Sequence, residues 1–179
     1  MRGFNRPRFL PKTIILKIEM MKKLKIVFAS LFAVMLLNAC SSDDSKENDT
    51  TKPTIDLAIS GGFPTSCTTV TRGSSIPFKA LFKDNEQLGS YSINIHHNFD
   101  HHSHDTEVDA CAFGAVKTPV NPWVKTLTFD IPANLSEYTA TQQIEIPTDI
   151  DTGDYHFMIQ LTDANGWATM KGISFKIVE

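Results

Sequence analysis

The chain contains 179 residues with a formal net charge of −3, and 41% of them are hydrophobic and 21% charged. This composition is typical of a globular protein, and the length suits one domain with short appendages rather than a two-domain enzyme. Eight basic residues and one acidic residue precede Cys40, which leaves nine basic and 19 acidic residues, a net charge of −10, in the rest of the chain. A body this acidic is repelled by nucleic acid and by anionic lipid headgroups, so we expect neither as its partner.

The first predicted element is a signal peptide that ends at residue 39. Three lysines between residues 22 and 25 precede Ile26–Leu37, an apolar run of twelve residues. A helix of that length rises about 18 Å, well short of the roughly 30 Å hydrocarbon core, so a signal peptide is favoured over a membrane span. Residues 1–20 fit no part of this pattern, and translation is expected to start at Met20 or Met21.

The segment Leu37–Cys40 resembles a bacterial lipobox. In such signals the cysteine is lipidated and becomes the N-terminus, so we predict a lipid anchor at Cys40 that attaches the protein to a membrane. The alternative is an ordinary secretory signal that is cleaved near Ala39.

Residues 40–52 are predicted to form a disordered acidic tether, because the twelve residues after Cys40 include no apolar side chain. The tether begins with Ser41–Asp44, which resembles the export signal that carries Bacteroidetes lipoproteins to the outer face of the outer membrane. We therefore expect an outer-membrane protein that faces the exterior. The alternative is a solubilising linker on a protein that faces the periplasm.

Residues 53–179 are predicted to form an all-β domain, an immunoglobulin-like antiparallel β-sandwich of about seven strands. Short runs of alternating apolar residues are separated by turn residues, and no helical periodicity is sustained. Seven runs in 127 residues match that fold. The runs are Ile55–Ile59, Ile76–Phe82, Tyr91–His97, Trp123–Ile131, Tyr138–Ile146, Tyr155–Leu161 and Ile173–Ile177.

The segment Asp151–Phe157 resembles the tyrosine corner of immunoglobulin-like domains. In that motif the hydroxyl of the tyrosine, here Tyr155, bonds to a main-chain group a few residues upstream. The alternative is a plain strand that begins after a glycine turn.

Cys67 and Cys111 are predicted to form a disulfide, because they remain as a pair in an exported chain once Cys40 is lipidated. The bond would close a loop of about 45 residues, worth roughly 4 kcal/mol in the chain-entropy model. The alternative is two unpaired buried thiols.

A histidine tract, residues 96–104, carries the only visible chemistry. Five of the six histidines lie in it, and acidic residues are interleaved or follow: His96, His97, His101, His102 and His104, with Asp100, Asp105, Glu107 and Asp109. Neutral imidazole is a common ligand of zinc and copper, and carboxylates complete such sites. The tract therefore predicts transition-metal binding, with a polar loop that holds no ligand as the alternative.

Strand geometry predicts which histidines meet. Side chains alternate along a strand, so His96 and His156 point outward if their apolar neighbours point inward. The third and sixth strands are antiparallel neighbours in the predicted fold, which places His156 beside the tract. We predict a site of these two residues, completed by one or two loop ligands among His101, His102, His104 and Asp100, while His97 points inward. Protonation should empty the site below about pH 6.

No catalytic motif was found, and we predict that the protein is not an enzyme. The chain has no nucleophile elbow, phosphate-binding glycine loop or HExxH motif. The alternative to a metal-binding module is an adhesion module that binds a glycan or a protein without a metal, with Trp123 and Trp167 as candidate contacts, although tryptophan in a sandwich is more often core.

The segment Ile95–His104 also resembles a signature of a Bacteroidetes lipoprotein family, domain of unknown function 4625. Tyr155–Phe157 and Asp163–Gly166 are similar to that family too, and the resemblance covers roughly Lys52 to Glu179. It implies a surface or periplasmic lipoprotein with an immunoglobulin-like domain. It implies no activity.

Overall fold

The structure is a computed structural model that describes residues 49–104, 106 and 111–179. These residues form eight β-strands: β1 (Thr54–Asp56), β2 (Thr68–Thr71), β3 (Ser75–Lys83), β4 (Leu88–His97), β5 (Lys125–Asp130), β6 (Glu137–Glu145), β7 (Gly153–Asp163) and β8 (Ala168–Val178). The predicted signal peptide, the predicted lipidation site Cys40 and most of the predicted tether lie outside the described residues. The described part of the chain contains no helix that is long and apolar enough to cross a membrane.

The strands form two sheets that pack as a sandwich. One sheet has the order β1-β3-β6 and the other has the order β2-β8-β7-β4-β5. This order places β4, β7 and β8 side by side, as strands C, F and G lie in immunoglobulin-like domains. The predicted all-β sandwich is therefore confirmed.

The strands differ from the prediction in two respects. The described residues form eight strands where about seven were predicted, and the strand without a predicted counterpart, β2, pairs with β8 in parallel, so the sandwich is not wholly antiparallel. The segment Thr68–Thr71 contains a single apolar residue, Val70, so it shows no alternating pattern. The first predicted strand also ends early, because the Asp56 carboxylate accepts a hydrogen bond from the Ala58 amide at 2.7 Å and turns the chain.

The core lies between the sheets and follows the predicted period of two. Inward side chains of β3, β4 and β7 are almost fully buried, among them Phe78, Phe82, Tyr91 and Phe157. The rings of Phe78 and Phe157 stack across the sandwich with centroids 5.6 Å apart, and those of Phe82 and Tyr91 lie 5.0 Å apart. These contacts fix the faces of β4 and β7, and with them the direction of every outward side chain.

The long connection between β4 and β5 folds back over the outer face of the five-stranded sheet. Its Gly114 amide donates to the Asp154 carboxylate on β7 at 2.7 Å. The predicted disulfide between Cys67 and Cys111 is confirmed, with Cα atoms 5.3 Å apart, and ties the connection to the segment before β2. As a result the first half of β7 is buried on both faces, including the outward His156.

The predicted tyrosine corner is confirmed at the start of β7. The Tyr155 hydroxyl donates to the Asp151 carbonyl at 2.6 Å and accepts from the Trp123 amide at 3.2 Å. Tyr155 therefore joins the loop before β7 to the end of the β4–β5 connection, and both segments flank the histidine tract.

Candidate metal centre

Two histidines on neighbouring strands form the base of the candidate site. His96 on β4 lies directly opposite His156 on β7, and Ser174 on β8 continues the same outward row. The imidazole centroids of His96 and His156 are 5.2 Å apart. His156 is 0% exposed, because the β4–β5 connection covers it, although its side chain points away from the core. The strand register thus produces the predicted proximity.

Two further histidines reach the base from the β4–β5 connection. After β4 ends, the chain makes a tight turn in which the His101 amide donates to the Asn98 carbonyl at 3.3 Å and His101 adopts a left-handed φ of 59°. The turn returns the chain over the sheet, so His102 and His104 lie above the strand pair. His104 Nε2 is 3.1 Å from His96 Nε2.

The four rings occupy the corners of a nearly regular tetrahedron. We call His96, His102, His104 and His156 the four-histidine cluster; each offers one ring nitrogen, and these four nitrogens all lie within 4.8 Å of one another. The six centroid–centroid distances range only from 4.8 to 5.4 Å. A tetrahedral zinc ion with Zn–N bonds of about 2.0–2.1 Å sets its imidazole centres about 5 Å apart. The cluster therefore matches the dimensions of a four-imidazole zinc site.

Side chains outside the cluster orient two of its rings. Nδ1 of His96 lies 2.7 Å from the Asn94 amide oxygen, and Nδ1 of His102 lies 2.6 Å from the Asp100 carboxylate. Asn94 is itself fixed by a 2.9 Å hydrogen bond to the hydroxyl of Thr126 on β5. When such a partner accepts a hydrogen bond from Nδ1–H, the proton stays on Nδ1. The lone pair of Nε2 is then free to bind a metal, as in carboxylate–histidine–zinc arrangements.

His156 connects the strand pair to the loop. Its Nε2 lies 3.2 Å from the His102 carbonyl, and its Nδ1 lies 3.5 Å from the Ser174 hydroxyl. A metal bound at Nε2 would replace the contact with the carbonyl, and the proton would then reside on Nδ1, beside Ser174. The buried ring thus has a polar partner on each side.

The surroundings keep His96 neutral. Burial and, to a smaller extent, the neighbouring imidazoles, His156 foremost, together lower the pKa of His96 from 6.5 to about 4. A neutral imidazole is the form that binds a metal. The cluster is therefore ready to accept a cation at neutral pH without first losing a proton from His96.

The remaining predicted residues lie outside the cluster. The ring of His101 stacks on Phe113 with centroids 5.0 Å apart, because the left-handed turn directs it away from the other rings. Asp100 contacts His102 rather than the centre of the cluster. The ring of His97 packs beside that of Phe99 with centroids 4.9 Å apart, in line with the predicted inward direction of His97. Sequence reasoning missed Asn94 and Ser174, although Asn94 precedes His96 by two residues and so had to share its face.

The two tryptophans differ in exposure. Trp123 is buried near the tyrosine corner, whereas Trp167 is 39% exposed in the turn between β7 and β8. Of the two tryptophans, Trp167 is therefore the one that could contribute an exposed ring to the adhesion alternative.

Comparison with known proteins identifies the family of the chain. The sequence profile of the family described as "Domain of unknown function (DUF4625)" matches residues 38–178, and the chain belongs to this family. No curated protein matches the chain. Among solved structures, the chain is similar to catalytically inactive OgpA from Akkermansia muciniphila in complex with an O-glycopeptide (glycodrosocin) substrate, with 14% identity and a TM-score of 0.42. The match covers 79% of this chain and 34% of that one.

Proposed function

We propose that this member of the DUF4625 family is a lipid-anchored binding module of the bacterial cell envelope that holds a transition-metal ion in the four-histidine cluster. The supporting observation is the near-regular tetrahedron of imidazoles, with all six centroid distances between 4.8 and 5.4 Å. Four rings that merely shared a polar loop would have no reason to be equally spaced. A shared central ligand is a physical reason for that spacing.

The shape of the cluster favours zinc over Cu(II). In a square-planar site the two diagonal distances exceed the four edges by about 40%, and Cu(II) prefers such tetragonal geometry. The six distances in the cluster differ by far less, and tetrahedral coordination by nitrogen is typical of zinc. All four positions are supplied by the protein, which is the pattern of a structural or storage site rather than of a catalytic one.

The residues around the cluster support binding in three ways. The β4–β7 register holds His96 and His156 on rigid backbone. Asn94 and Asp100 orient two rings, and the burial of His96 keeps it unprotonated at neutral pH. Because the binding nitrogens must be neutral, we expect the ion to be released as the pH falls below about 6.

The proposed location rests on the sequence before the domain. The lipobox-like segment Leu37–Cys40 supports lipidation at Cys40, and Ser41–Asp44 supports transport to the outer face of the outer membrane. A surface module anchored in this way could capture a metal ion or depend on it for its own folding.

Titration calorimetry tests the proposal on untagged protein, with zinc and copper in separate experiments. We expect one zinc ion per chain, and we expect His102→Ala and His104→Ala to lose at least about 100-fold in affinity, since each removes one of four ligands. The matched control is His101→Asn, which lies in the same loop but outside the cluster and tolerates the left-handed backbone.

Two results would contradict the proposal. One is the absence of tight binding by either metal. The other is an equal loss in His101→Asn and in the two cluster variants, which would indicate binding by a disordered loop.

A further inference from the structure

A second group of potential cation ligands lies at the other end of the sandwich. Asp49 precedes β1, Asp84 lies in the turn between β3 and β4, and Asp163 ends β7. Each carboxylate offers one oxygen, and the three oxygens all lie within 4.8 Å of one another. Asp163 follows His156 by seven residues of extended strand, about 23 Å, so this group is separate from the four-histidine cluster. We call it the aspartate corner.

Two of these carboxylates use one oxygen to hold a turn. One oxygen of Asp84 accepts the amides of Glu86 and Gln87 at 2.8 and 2.9 Å. One oxygen of Asp163 accepts the amides of Asn165 and Trp167, both at 2.8 Å. These hydrogen bonds satisfy one of the two oxygens of each carboxylate, Oδ2 of Asp84 and Oδ1 of Asp163.

The other oxygen of each is buried and has no hydrogen-bond donor. Asp84 Oδ1 and Asp163 Oδ2 are inaccessible to water and make no hydrogen bond, and Asp163 as a whole is only 4% exposed. Among the described residues, no lysine, arginine or histidine forms an ion pair with any of the three aspartates. A buried carboxylate oxygen without a partner is strongly unfavourable, and a cation bound between the carboxylates would satisfy it.

We infer that the aspartate corner binds a calcium ion. Calcium takes oxygen ligands at about 2.3–2.6 Å, so two of its ligands can lie up to about 5 Å apart, and three oxygens within 4.8 Å of one another can share one ion. Magnesium usually keeps several waters and is held by one or two carboxylates, so a site of three carboxylates suits calcium better. The corner offers no imidazole or thiolate, so it differs in chemistry from the zinc site. The Glu86 carboxylate lies at the rim of the aspartate corner, where its Oε2 accepts a hydrogen bond from the side-chain Nδ2 of Asn165 at 3.3 Å.

The ion would join the start of the domain to the turn between β3 and β4, which crosses from one sheet to the other, and to the β7–β8 hairpin turn. Asp49 already contacts both turns: its carboxylate accepts from the Asn85 amide at 2.9 Å, and its carbonyl accepts from the Trp167 indole at 2.7 Å. Calcium would strengthen this junction and fix the point at which the chain enters the sandwich. This inference goes beyond the proposed function and does not depend on it.

Calcium titration of the untagged protein, followed by calorimetry and thermal unfolding, tests the inference. We expect one calcium ion per chain, a dissociation constant of about 10⁻⁴–10⁻³ M, the range of extracellular calcium-binding modules, and a higher unfolding midpoint in millimolar calcium than in chelator. Asp84→Asn and Asp163→Asn each keep a side-chain oxygen that can accept the hydrogen bonds of the turn, but they remove the negative charge of the carboxylate. Each should lower the calcium affinity at least about tenfold.

Two controls separate the possible causes. Asp149→Asn changes an exposed aspartate on the loop before β7 and should bind calcium like the wild type. His102→Ala, which disrupts the four-histidine cluster, should leave calcium binding unchanged. The inference is overturned if millimolar calcium produces neither heat nor a shift of the unfolding midpoint, or if both aspartate variants respond to calcium as the wild type does.

Discussion

At the scale of single residues, the polar partners of the imidazoles define the candidate site as much as the imidazoles do. Nδ1 of His102 lies 2.6 Å from the Asp100 carboxylate, and this contact with His102 lowers the pKa of Asp100 below its ordinary value of 3.8. Asp100 is therefore ionised at neutral pH and raises the basicity of the ring. In the proposed site Asp100 would therefore orient the His102 ring, whereas the sequence predicts Asp100 as a possible metal ligand itself.

Replacing Asp100 with asparagine should weaken zinc binding by about 10- to 100-fold, because the amide keeps an acceptor but removes the negative charge. Titration calorimetry measures the change, and Ser103→Ala, an exposed position in the same loop, serves as the matched control. An Asp100→Asn variant with wild-type zinc affinity would show that the contact does not support the site.

Alternation along strands was enough to predict that His96 and His156 share a face, because Ile95 and Phe157 had to point into the core. It could not decide which loop histidines join them. That choice depends on the left-handed turn at His101, and a histidine in this conformation carries no sequence signal of the kind that glycine gives. The sequence therefore left three loop histidines as candidates, of which the structure brings two, His102 and His104, to the cluster.

At the scale of elements, β7 is the strand on which both candidate sites depend, since His156 lies near its start and Asp163 at its end. The start of β7 is fixed by Tyr155, whose hydroxyl donates to the Asp151 carbonyl and accepts from the Trp123 amide. Removing the hydroxyl leaves both partners without this bond, and the Trp123 amide is buried.

The Tyr155→Phe variant should lower the free energy of unfolding by about 1–3 kcal/mol, the usual range when buried hydrogen-bonding groups lose their partner. Urea unfolding measures it, with Tyr138→Phe, a half-buried tyrosine on β6, as the control. Equal stability of Tyr155→Phe and the wild type would mean that the tyrosine corner does not stabilise this domain.

The strands with clear alternation, β3, β4, β7 and β8, were predictable because each has one face in the core. β2 was not, since its sequence TTVT has one apolar side chain and its conformation comes from pairing in parallel with β8. A local sequence pattern predicts a strand only where apolar side chains recur at alternate positions along it.

At the scale of the whole molecule, the net charge of −10 after Cys40 bears on the proposed attachment to a membrane. An acidic domain gains no attraction from anionic headgroups, so the proposed attachment would rest on the lipid at Cys40. The Cys40→Ala variant should therefore move from the detergent phase to the aqueous phase when detergent extracts are partitioned. Protease added to intact cells should digest the wild-type domain.

Continued partitioning of Cys40→Ala into detergent would contradict the lipid anchor. Complete protection of the wild-type domain in intact cells would contradict its exposure on the outer surface while leaving the anchor in place.

The whole fold also explains why the aspartate corner could not be predicted from the sequence. Asp49, Asp84 and Asp163 are separated by 35 and 79 positions in the sequence, and they meet only because the β3–β4 turn, the β7–β8 hairpin turn and the segment before β1 share one end of the sandwich. The histidine tract was visible because its members are adjacent in the sequence. A site assembled from distant turns has no local pattern.

X-ray absorption spectroscopy at the zinc edge, on untagged protein loaded with one equivalent of zinc, tests the central claim most directly. If the four-histidine cluster holds the ion, the spectrum shows four imidazole nitrogens at about 2.0–2.1 Å from zinc in tetrahedral geometry, and His101→Asn gives the same spectrum. A spectrum with two or fewer imidazoles and additional oxygen ligands, or one that changes in His101→Asn, would contradict the four-histidine cluster as the metal centre.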